Sequence, residues 1–393
     1  MEGLVDIPES YRGREQALIK HTLLESYLER LFMIVGQHEK KICYVDCFAG
    51  PWQECNPKLK DTSIAISLDI MRKCRDGLRQ LGKDVQFRAL YIEKEEKAFD
   101  KLRAFLNEQA KLGIETHALK GDFVDQRNEI LSWCGARDFT FFFVDPTGWK
   151  QAVEIPTLLP LLQRPYSEFL INFMYDFLLR THTQELFADD IKDIFGEVPD
   201  TQGLAPKERE VFLLKKYRAQ LKNAQPSVGD KPRSAYVAVL DSVKDRTKYH
   251  LVYLTRHPLG IKVFMEESAK VDIVQKTVRA HTKQEKRIEK SGQTEIFLDS
   301  VAMVKDDDRV ELIAVKEYWL TKLSSTPRYF GIIDLADMLE ETDWFIDDIQ
   351  SAFGELAAEG KVRNLDCKGK RRTSFVHFDE NKGKGERLEK IIS

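Results

Sequence analysis

The stretch Tyr44-Val45-Asp46-Cys47-Phe48-Ala49-Gly50-Pro51 decides the fold class of this chain. An apolar run ends here in an aspartate and continues into a tight loop that contains a glycine. Three later segments place an acid in a corresponding position, and they are Tyr91-Ile92-Glu93, Lys120-Gly121-Asp122-Phe123 and Phe141-Phe142-Phe143-Val144-Asp145-Pro146. Because ligands of open parallel sheets bind beyond the carboxyl ends of the strands, the series predicts a sheet with four acids along its binding edge.

The segments around these acids alternate between strand and helix patterns. Apolar runs predict strands at 41–46, 84–93, 114–119, 140–145 and 169–174, with helical patterns between them. Two more strands, at 235–240 and 249–255, are separated by a polar turn and fit an antiparallel hairpin at the end of the sheet. Continuous apolar strands that alternate with helices predict an α/β fold, a Rossmann-like parallel sheet covered on both faces.

Composition places the chain among ordinary globular proteins. Its 393 residues are 42% hydrophobic and 32% charged, with a formal net charge of -3, a balance that points to no particular partner. No apolar run reaches the roughly 18 residues that a membrane span requires, and the first residues lack the pattern of a secretory signal. We therefore expect a cytoplasmic protein without a membrane segment.

The six cysteines do not predict a metal centre. Cys43, Cys47 and Cys55 have the spacing C-x3-C-x7-C, which matches neither a zinc knuckle nor the C-x3-C-x2-C of a radical S-adenosylmethionine (SAM) cluster. Cys43 belongs to the first predicted strand and is expected to point into the core. We interpret the cysteines as reduced structural thiols and expect no metal.

The loop Asp46–Gly50 resembles the D-x-F-x-G motif with which class I SAM-dependent methyltransferases hold their cofactor. In that reading Gly50 lets the backbone approach the ligand closely, Asp46 accepts a hydrogen bond from the SAM ammonium group, and Glu93 accepts two from the ribose hydroxyls. Asp122 accepts one from the adenine amine, and Phe123 supplies an apolar face to the base. The expected cofactor residues are Asp46, Phe48, Ala49, Gly50, Glu93, Asp122 and Phe123.

The fourth segment marks the position of the methyl acceptor. Asp145-Pro146-Thr147-Gly148-Trp149 resembles, imperfectly, the [DNS]-P-P-[YFW] box of amino methyltransferases, in which the acid orients the target amine for in-line transfer. The second proline is missing and the aromatic is displaced, so an oxygen target stays open. Asp145 or a lysine would then act as the base, with Lys20 and Lys150 as candidates. The expected catalytic residues are Asp145, Pro146 and Lys20.

At this point the chain resembles one family closely, the three-Cys-motif partner proteins. The motifs that carry the resemblance span about residues 14–270 and are Lys20-His21 with Tyr27-Leu28, Tyr44–Pro51, Thr62–Ala65, Tyr91–Glu93, Gly121–Phe123, Phe143–Trp149, Ile171–Met174 with Arg180, and Tyr249–Gly260. The family is similar to class I methyltransferases. Its name implies a partner protein with a three-cysteine, radical-SAM-like motif, and it implies no substrate.

The C-terminal third has a different pattern. Residues 276–290 form a charge-rich, mainly basic helix, and helical segments at 310–323, 333–339 and 344–358 follow a linker. Segments 361–365 and 374–378 can pair as a wing around the basic run Lys368–Arg372, which predicts a winged helix–turn–helix. The expected domains are 1–275 with a helical insertion at about 182–228, a basic helix and linker at 276–307, and the winged module at 308–393.

The function of the winged module stays open between docking and nucleic-acid binding. The helix at 344–358, with the residue that follows it, carries the acids Asp347, Asp348, Glu355 and Glu359 and no Lys or Arg, so phosphates would be repelled. Gln350 is its one side chain suited to base recognition. Our leading hypothesis is a SAM-dependent methyltransferase that acts on nucleic acid, RNA more than DNA, together with a three-cysteine partner. The alternatives are a non-catalytic scaffold that keeps the SAM fold and a small-molecule methyltransferase.

Overall fold

A computed structural model describes residues 7–50, 62–146, 151–176, 178, 187–227, 229–291, 312–367 and 374–391. The chain divides by its contacts into two compact units. The first comprises residues 1–256 and 271–293, and the second comprises residues 257–270 and 294–393. This division differs from the sequence-based boundaries at 275 and 307. The helix predicted at 276–290 is the end of a longer helix, which begins at Pro258 and continues without interruption to Ser291, and the two units divide it after residue 270. No proline or glycine lies between 261 and 291 to end that helix.

The first unit is an α/β fold with a mostly parallel sheet of seven strands in the order β3-β2-β1-β4-β5-β7-β6. The strands are β1 (Lys41–Asp46), β2 (Gln86–Glu93), β3 (Glu115–Lys120), β4 (Phe139–Val144), β5 (Ser167–Phe173), β6 (Arg233–Leu240) and β7 (Thr247–Thr255). The first five run parallel, and β7 is antiparallel to both β5 and β6. The predicted sheet and its end hairpin are confirmed.

Helices connect these strands and cover both faces of the sheet. Those of the first unit are α1 (Glu15–Val35), α2 (Ser63–Gln80), α3 (Glu96–Gln109), α4 (Phe123–Cys134), α5 (Ile155–Leu162), α6 (Ala188–Phe195) and α7 (Pro206–Asn223). The long helix Pro258–Ser291 is α8. Helices α6 and α7 occupy the predicted insertion between β5 and β6. Helix α5 was not predicted, because Pro156 and Pro160 interrupt its pattern.

One face of the sheet packs against α1 and α2. The Tyr27 ring of α1 lies 6.0 Å from Phe141 and 5.1 Å from Tyr253, and Ser67 of α2 shares a 2.9 Å hydrogen bond with the Tyr91 hydroxyl. Side chains alternate between faces along a strand. Asp46, which follows Tyr44 by two residues, therefore shares this face, and its side chain bonds to α2.

The opposite face carries a large apolar core. Val45, Phe142 and Phe169 from the sheet pack in one buried cluster with Ile130 of α4 and Leu214 of α7. Burying such side chains contributes roughly 1.5–3 kcal/mol each. The continuous apolar strands of the sequence are thus explained by two covered faces, and Cys43 lies buried within β1 as expected.

The second unit contains helices and a small sheet. Besides residues 258–270 of α8 it has α9 (Leu312–Lys322), β8 (Arg328–Phe330), α10 (Ile332–Thr342), α11 (Ile346–Ala358), β9 (Val362–Asn364) and β10 (Glu386–Lys390). The three strands form an antiparallel sheet in the order β8-β10-β9. The three predicted helices are present, whereas β8 and β10 were missed.

The predicted pairing of 361–365 with 374–378 is wrong. Strand β9 pairs with β10, and residues 374–378 contain no strand. The side chain of Gln350 holds this segment instead: its Oε1 accepts from the N–H groups of Phe375 (2.9 Å) and Val376 (3.0 Å), and its Nε2 donates to the Val376 carbonyl (2.7 Å). One amide side chain thus satisfies backbone groups that a strand ladder would otherwise pair. The basic run 368–372 lies outside the described residues.

Within the described residues, no helix has the length and apolar character that crossing a membrane requires.

Candidate functional site

The loop after β1 lies where the strand order of the sheet reverses. Its backbone is fixed on both sides: Cys47 N–H donates to the Phe143 carbonyl of β4 (2.9 Å), and Ala49 N–H donates to the Ile92 carbonyl of β2 (2.8 Å). These two bonds carry the loop across the end of the sheet and bring Gly50 to Glu93. The point between β1 and β4 is the switch point at which ligands of such sheets bind.

A cleft of about 260 Å³ opens beside this loop. Residues from the ends of four consecutive strands of the chain line it, and they are Cys47, Phe48 and Gly50 after β1, Ile92 and Glu93 at the end of β2, Gly121, Asp122 and Phe123 after β3, and Pro146 after β4. Helix α3 contributes Ala98, and the rest of the lining is Lys94, Glu95, Val124, Gln151 and Ala152. The described part of this cleft is slightly smaller than typical small-molecule sites, which start near about 300 Å³.

Glu93 is the carboxylate at the centre of the cleft. It is 7% exposed, and its Oε1 accepts a 2.7 Å hydrogen bond from the Glu95 N–H. Its carbonyl accepts from the Gly121 N–H (3.1 Å), which ties the ends of β2 and β3 together. A Cβ atom on Gly50 would lie 1.9 Å from Glu93 Oε2. The Glu93 carboxylate can therefore take this position only because residue 50 has no side chain.

Asp122 and Phe123 occupy the adjacent wall. Asp122 caps α4, with its Oδ1 accepting from the Val124 N–H at 3.0 Å, and its Oδ2 lies 4.0 Å from Lys94 Nζ. The Phe123 ring is buried and packs against Phe48, with ring centroids 5.4 Å apart. The wall thus offers one carboxylate oxygen above an apolar floor, and helix capping uses the other oxygen.

Asp46 is buried beneath the loop. Its Oδ1 accepts from the Phe48 N–H (3.1 Å) and its Oδ2 from the Ser63 hydroxyl (2.6 Å). Burial raises the pKa of Asp46 from 3.8 to about 6, against the lowering effect of these two hydrogen bonds. The charge of Asp145 raises it further and that of Lys20 lowers it. Asp46 does not line the described cleft; it fixes the loop from below.

Lys20, Asp145 and Asn172 form a second cluster on the same face of the sheet. Lys20 of α1 makes an ion pair with Asp145 Oδ2, and both side chains are 16% exposed. Asn172, at the end of β5, donates from Nδ2 to Asp145 Oδ1 at 2.7 Å. Asn172 is 4% exposed, and its own Oδ1 is buried without a hydrogen-bond partner. Two elements, α1 and β5, thus hold the Asp145 carboxylate through its two oxygens.

His21, next to Lys20 in α1, is not suited to act as a base. Its Nδ1 shares a 3.0 Å hydrogen bond with the Tyr11 hydroxyl. Burial, and then the charge of Lys20, lowers the pKa of His21 to about 3, although Asp145 opposes this. A neutral imidazole of such low basicity leaves Lys20 and Asp145 as the charged groups of the cluster.

The structure brings most of the predicted site residues together. Phe48, Gly50, Glu93, Asp122, Phe123 and Pro146 line the cleft, and Lys20 contacts Asp145. Ala49 is buried and acts through its backbone bond. Lys150 and the rest of the box at 147–150 lie outside the described residues.

Sequence reasoning gave no role to Asn172, Ser63 or Gln151. Asn172 could have been identified from the sequence, because it is a polar residue near the carboxyl end of the mainly apolar strand β5. Ser63 follows the helix cap Thr62, whose hydroxyl accepts from the Ala65 N–H, so its bond to Asp46 depends on tertiary structure. Among the residues described, no cluster of three or more His, Cys, Asp or Glu side chains could hold a metal ion.

Comparisons with known proteins place this chain in no family. No family model and no curated protein matches it. A solved structure from Legionella pneumophila aligns with 67% of this chain and 92% of its own, at 9% identity and a TM-score of 0.36. An O-methyltransferase from Bacillus cereus in complex with SAH aligns with 59% of this chain and 80% of its own, at 14% identity and a TM-score of 0.33. Likenesses this distant carry no argument about function, which therefore has to be inferred from the site itself.

Proposed function

We propose that this protein is a SAM-dependent methyltransferase whose cofactor binds in the cleft at the switch point of the sheet. A single observation carries the proposal: one cleft gathers side chains from the ends of four strands, with the buried carboxylate of Glu93 facing Gly50. Charged and polar groups that converge in such a cleft are typical of ligand sites in open α/β sheets.

The residues present fit the chemistry of SAM. Glu93 lines the cleft, and its Oε2 lies so close to Gly50 that a Cβ atom there would overlap it. A carboxylate has acceptor sites enough for the two hydroxyl donors of a ribose. Asp122 supplies an acceptor oxygen beside the apolar floor of Phe48 and Phe123, an arrangement that suits an aromatic amine such as adenine. Asp46 does not line the cleft, so it would act on the cationic end through its charge and through the loop that it fixes.

The cluster of Lys20, Asp145 and Asn172 is the proposed acceptor end. When bound, SAM supplies an electrophilic methyl group: a carbon–sulfur bond breaks while a bond from that carbon to the acceptor atom forms, and the acceptor then releases a proton. The cluster lies on the same face as Asp46, whose pKa responds to the charges of both Lys20 and Asp145. The acceptor would therefore lie near the expected position of the cationic cofactor end.

The hydrogen bonds of Asp145 favour a nitrogen target over an oxygen target. Lys20 and Asn172 each donate to one of its oxygens, and an ionised carboxylate retains a further lone pair on each oxygen. Asp145 can thus accept a hydrogen bond from an amine and orient it. A hydroxyl target would require Asp145 or Lys20 to act as a base, and these two side chains are engaged in an ion pair with each other.

RNA as the acceptor stays a prediction that the described residues support weakly. Part of the basic segment 276–290 is neutralised locally, because Arg279 and Lys283 both contact Asp245 (2.6 and 3.0 Å) and Lys276 contacts Asp272 (2.9 Å). The remaining argument is the basic run 368–372. If it contacts RNA phosphates, replacing residues 370–372 with alanine should reduce the log–log salt dependence of RNA binding by about two to three.

Methyl transfer from labelled SAM to total RNA, to DNA and to a small-molecule extract tests the function. Incorporation into one of these fractions, lost in Asp145→Asn while SAM still binds, would support the proposal. Saturable SAM binding without transfer to any fraction would favour the non-catalytic scaffold. Absence of SAM binding to the full-length protein would refute both.

For the second unit we propose a winged-helix-like module that docks onto a protein or onto itself. The module has no free base-reading amide on α11, because both polar atoms of the Gln350 side chain bond to the backbone of residues 375–376. Two acids at the C-terminal end of α11 also have contacts within the module. Lys316 of α9 contacts Glu355 of the helix at 2.7 Å and Glu359, which follows the helix, at 2.5 Å. The three-cysteine partner stays a prediction that depends on the family resemblance alone.

A further inference from the structure

Gln151 has an unusual backbone in the wall of the cleft. Its φ is 56°, in the left-handed region that side chains other than glycine rarely adopt. Its side chain is exposed, and it lines the same cleft as Glu93 and Asp122. Non-glycine residues with this backbone cost free energy and often mark sites where a side chain has a function.

A local arrangement holds Gln151 in this conformation. The Glu154 carboxylate accepts a 2.9 Å hydrogen bond from the Gln151 N–H, and the Glu154 N–H donates to the Gln151 carbonyl at 3.2 Å. Glu154 is itself buried, as are Ala152 and Val153 between them. The surroundings therefore impose the left-handed backbone at residue 151, and glycine would be the residue of lowest cost there.

The side-chain amide of Gln151 is available for a ligand. Among the described residues it has no hydrogen-bond partner, although it borders a cleft that is lined by the three acids Glu93, Glu95 and Asp122. A glutamine amide presents one donor group and one acceptor oxygen, which match the amine and the adjacent ring nitrogen along one edge of adenine. Aspartate and glutamate can only accept, so Gln151 is the lining residue suited to recognise both groups at once.

We infer that Gln151 recognises the adenine base of the cofactor through its side-chain amide and determines the preference for adenine over a deaminated base. This inference rests on the proposed function and adds a specificity-determining residue to that site. It explains why glutamine occupies a backbone position that favours glycine: the side chain is needed for the ligand.

The first test separates the backbone from the side chain. Gln151→Gly should raise the melting temperature by roughly 2–4 °C, because glycine adopts positive φ without steric cost, and should weaken SAM binding roughly tenfold. Gln151→Ala should weaken SAM binding similarly without raising the melting temperature. Lys382→Gly is a matched control, because Lys382 has a φ of 59° and lies in the second unit, so it should leave SAM affinity unchanged.

The second test measures base specificity. S-adenosylhomocysteine and its deaminated analogue, S-inosylhomocysteine, are titrated into the wild type and into Gln151→Ala. The wild type should prefer adenine by roughly tenfold or more, and the variant should lose most of that preference. A purely structural role for Gln151 would lower both affinities together.

The outcomes distinguish this inference from the proposed function. If the wild type binds neither nucleoside, the proposed function fails and this inference fails with it. If the wild type binds SAM while Gln151→Ala retains both its affinity and its preference for adenine, the cleft is a cofactor site and the role given to Gln151 is wrong.

Discussion

Replacing Asp46 with asparagine gives a direct test of the charge buried under the loop after β1. Asparagine has the same shape: its oxygen can accept from the Phe48 N–H, and its amide can donate to Ser63. The wild-type carboxyl has its pKa raised from 3.8 to about 6, chiefly by burial. A difference of about two units corresponds to roughly 3 kcal/mol, the free energy that an ionised Asp46 costs the folded state.

The sign of the effect follows from proton binding. Between about pH 4 and pH 6 the unfolded chain has lost the Asp46 proton while the folded protein retains it, so the folded state binds more protons and stability falls as pH rises. Above about pH 6 both states are ionised, and the cost is constant. Other groups titrate in the same range, but their contributions cancel in the difference between the wild type and Asp46→Asn.

Denaturant unfolding of both proteins at a series of pH values measures this difference. We expect the free energy of unfolding of Asp46→Asn, relative to that of the wild type, to rise by about 2–3 kcal/mol as the pH increases from about 4 to about 7. Above that range the difference should stay constant. Parallel stability curves for the two proteins would show that Asp46 keeps an ordinary pKa, and the account of a buried ionisable group under the loop would be wrong.

Three further predictions concern the site. SAM affinity of the wild type should fall as the pH drops below about 6, because protonation removes the negative charge of Asp46 beneath the loop, and calorimetry should show that Asp46→Asn lacks this dependence. Gly50→Ala should weaken SAM binding at least about tenfold, since the new Cβ would lie 1.9 Å from Glu93 Oε2, whereas Gly77→Ala in α2, with its nearest contact at 3.6 Å, should not. Asn172→Leu should leave SAM affinity within about twofold and lower methyl transfer roughly tenfold or more, because Asp145 loses one of its two orienting donors; an unchanged transfer rate would remove Asn172 from the acceptor end.

The strands of the sheet and their terminal acids were predictable because local and tertiary requirements coincide there. Strands buried on both faces must be apolar throughout, so an acid at the end of such a run, as at Asp46 or Glu93, is conspicuous in the sequence. The parallel order then places these acids at one edge without further information. This is why Phe48, Gly50, Glu93, Asp122 and Phe123 could be placed at that edge before the structure was known.

Features that depend on contacts between distant segments could not be predicted. Lys20 was expected near Asp145, but their ion pair across 125 positions of the chain was not. The hydrogen bond from Asn172 in the neighbouring strand to Asp145 has no local signal either. Likewise, Gln350 replaces a strand ladder at 374–378 through side-chain bonds. The sequence pattern at 374–378 suggested a wing strand because Val376 and Phe378 are alternate apolar residues. Both are buried in the structure, and buried apolar side chains occur in packed loops as well as in strands.

The unpredicted unit boundary has a similar cause. A helix pattern shows where a helix is possible, and the charge-rich part of α8 was visible at 276–290. Its earlier part is buried through Ile261, Phe264 and Met265 and groups by contacts with the second unit. Amphipathic character alone does not tell which core an apolar helix face will join.

Titration of SAM into the full-length protein, into Glu93→Ala and into Glu96→Ala tests the central claim most directly. Glu96 is an exposed acid on α3 that pairs with Lys120 outside the cleft, so its variant controls for loss of negative charge nearby. We expect saturable binding of one SAM by the wild type and by Glu96→Ala, and a loss on the order of 1.5–3 kcal/mol, tenfold or more in affinity, for Glu93→Ala. Absence of saturable binding to the wild type, or equal affinity in all three proteins, would contradict the assignment of this cleft as a SAM site.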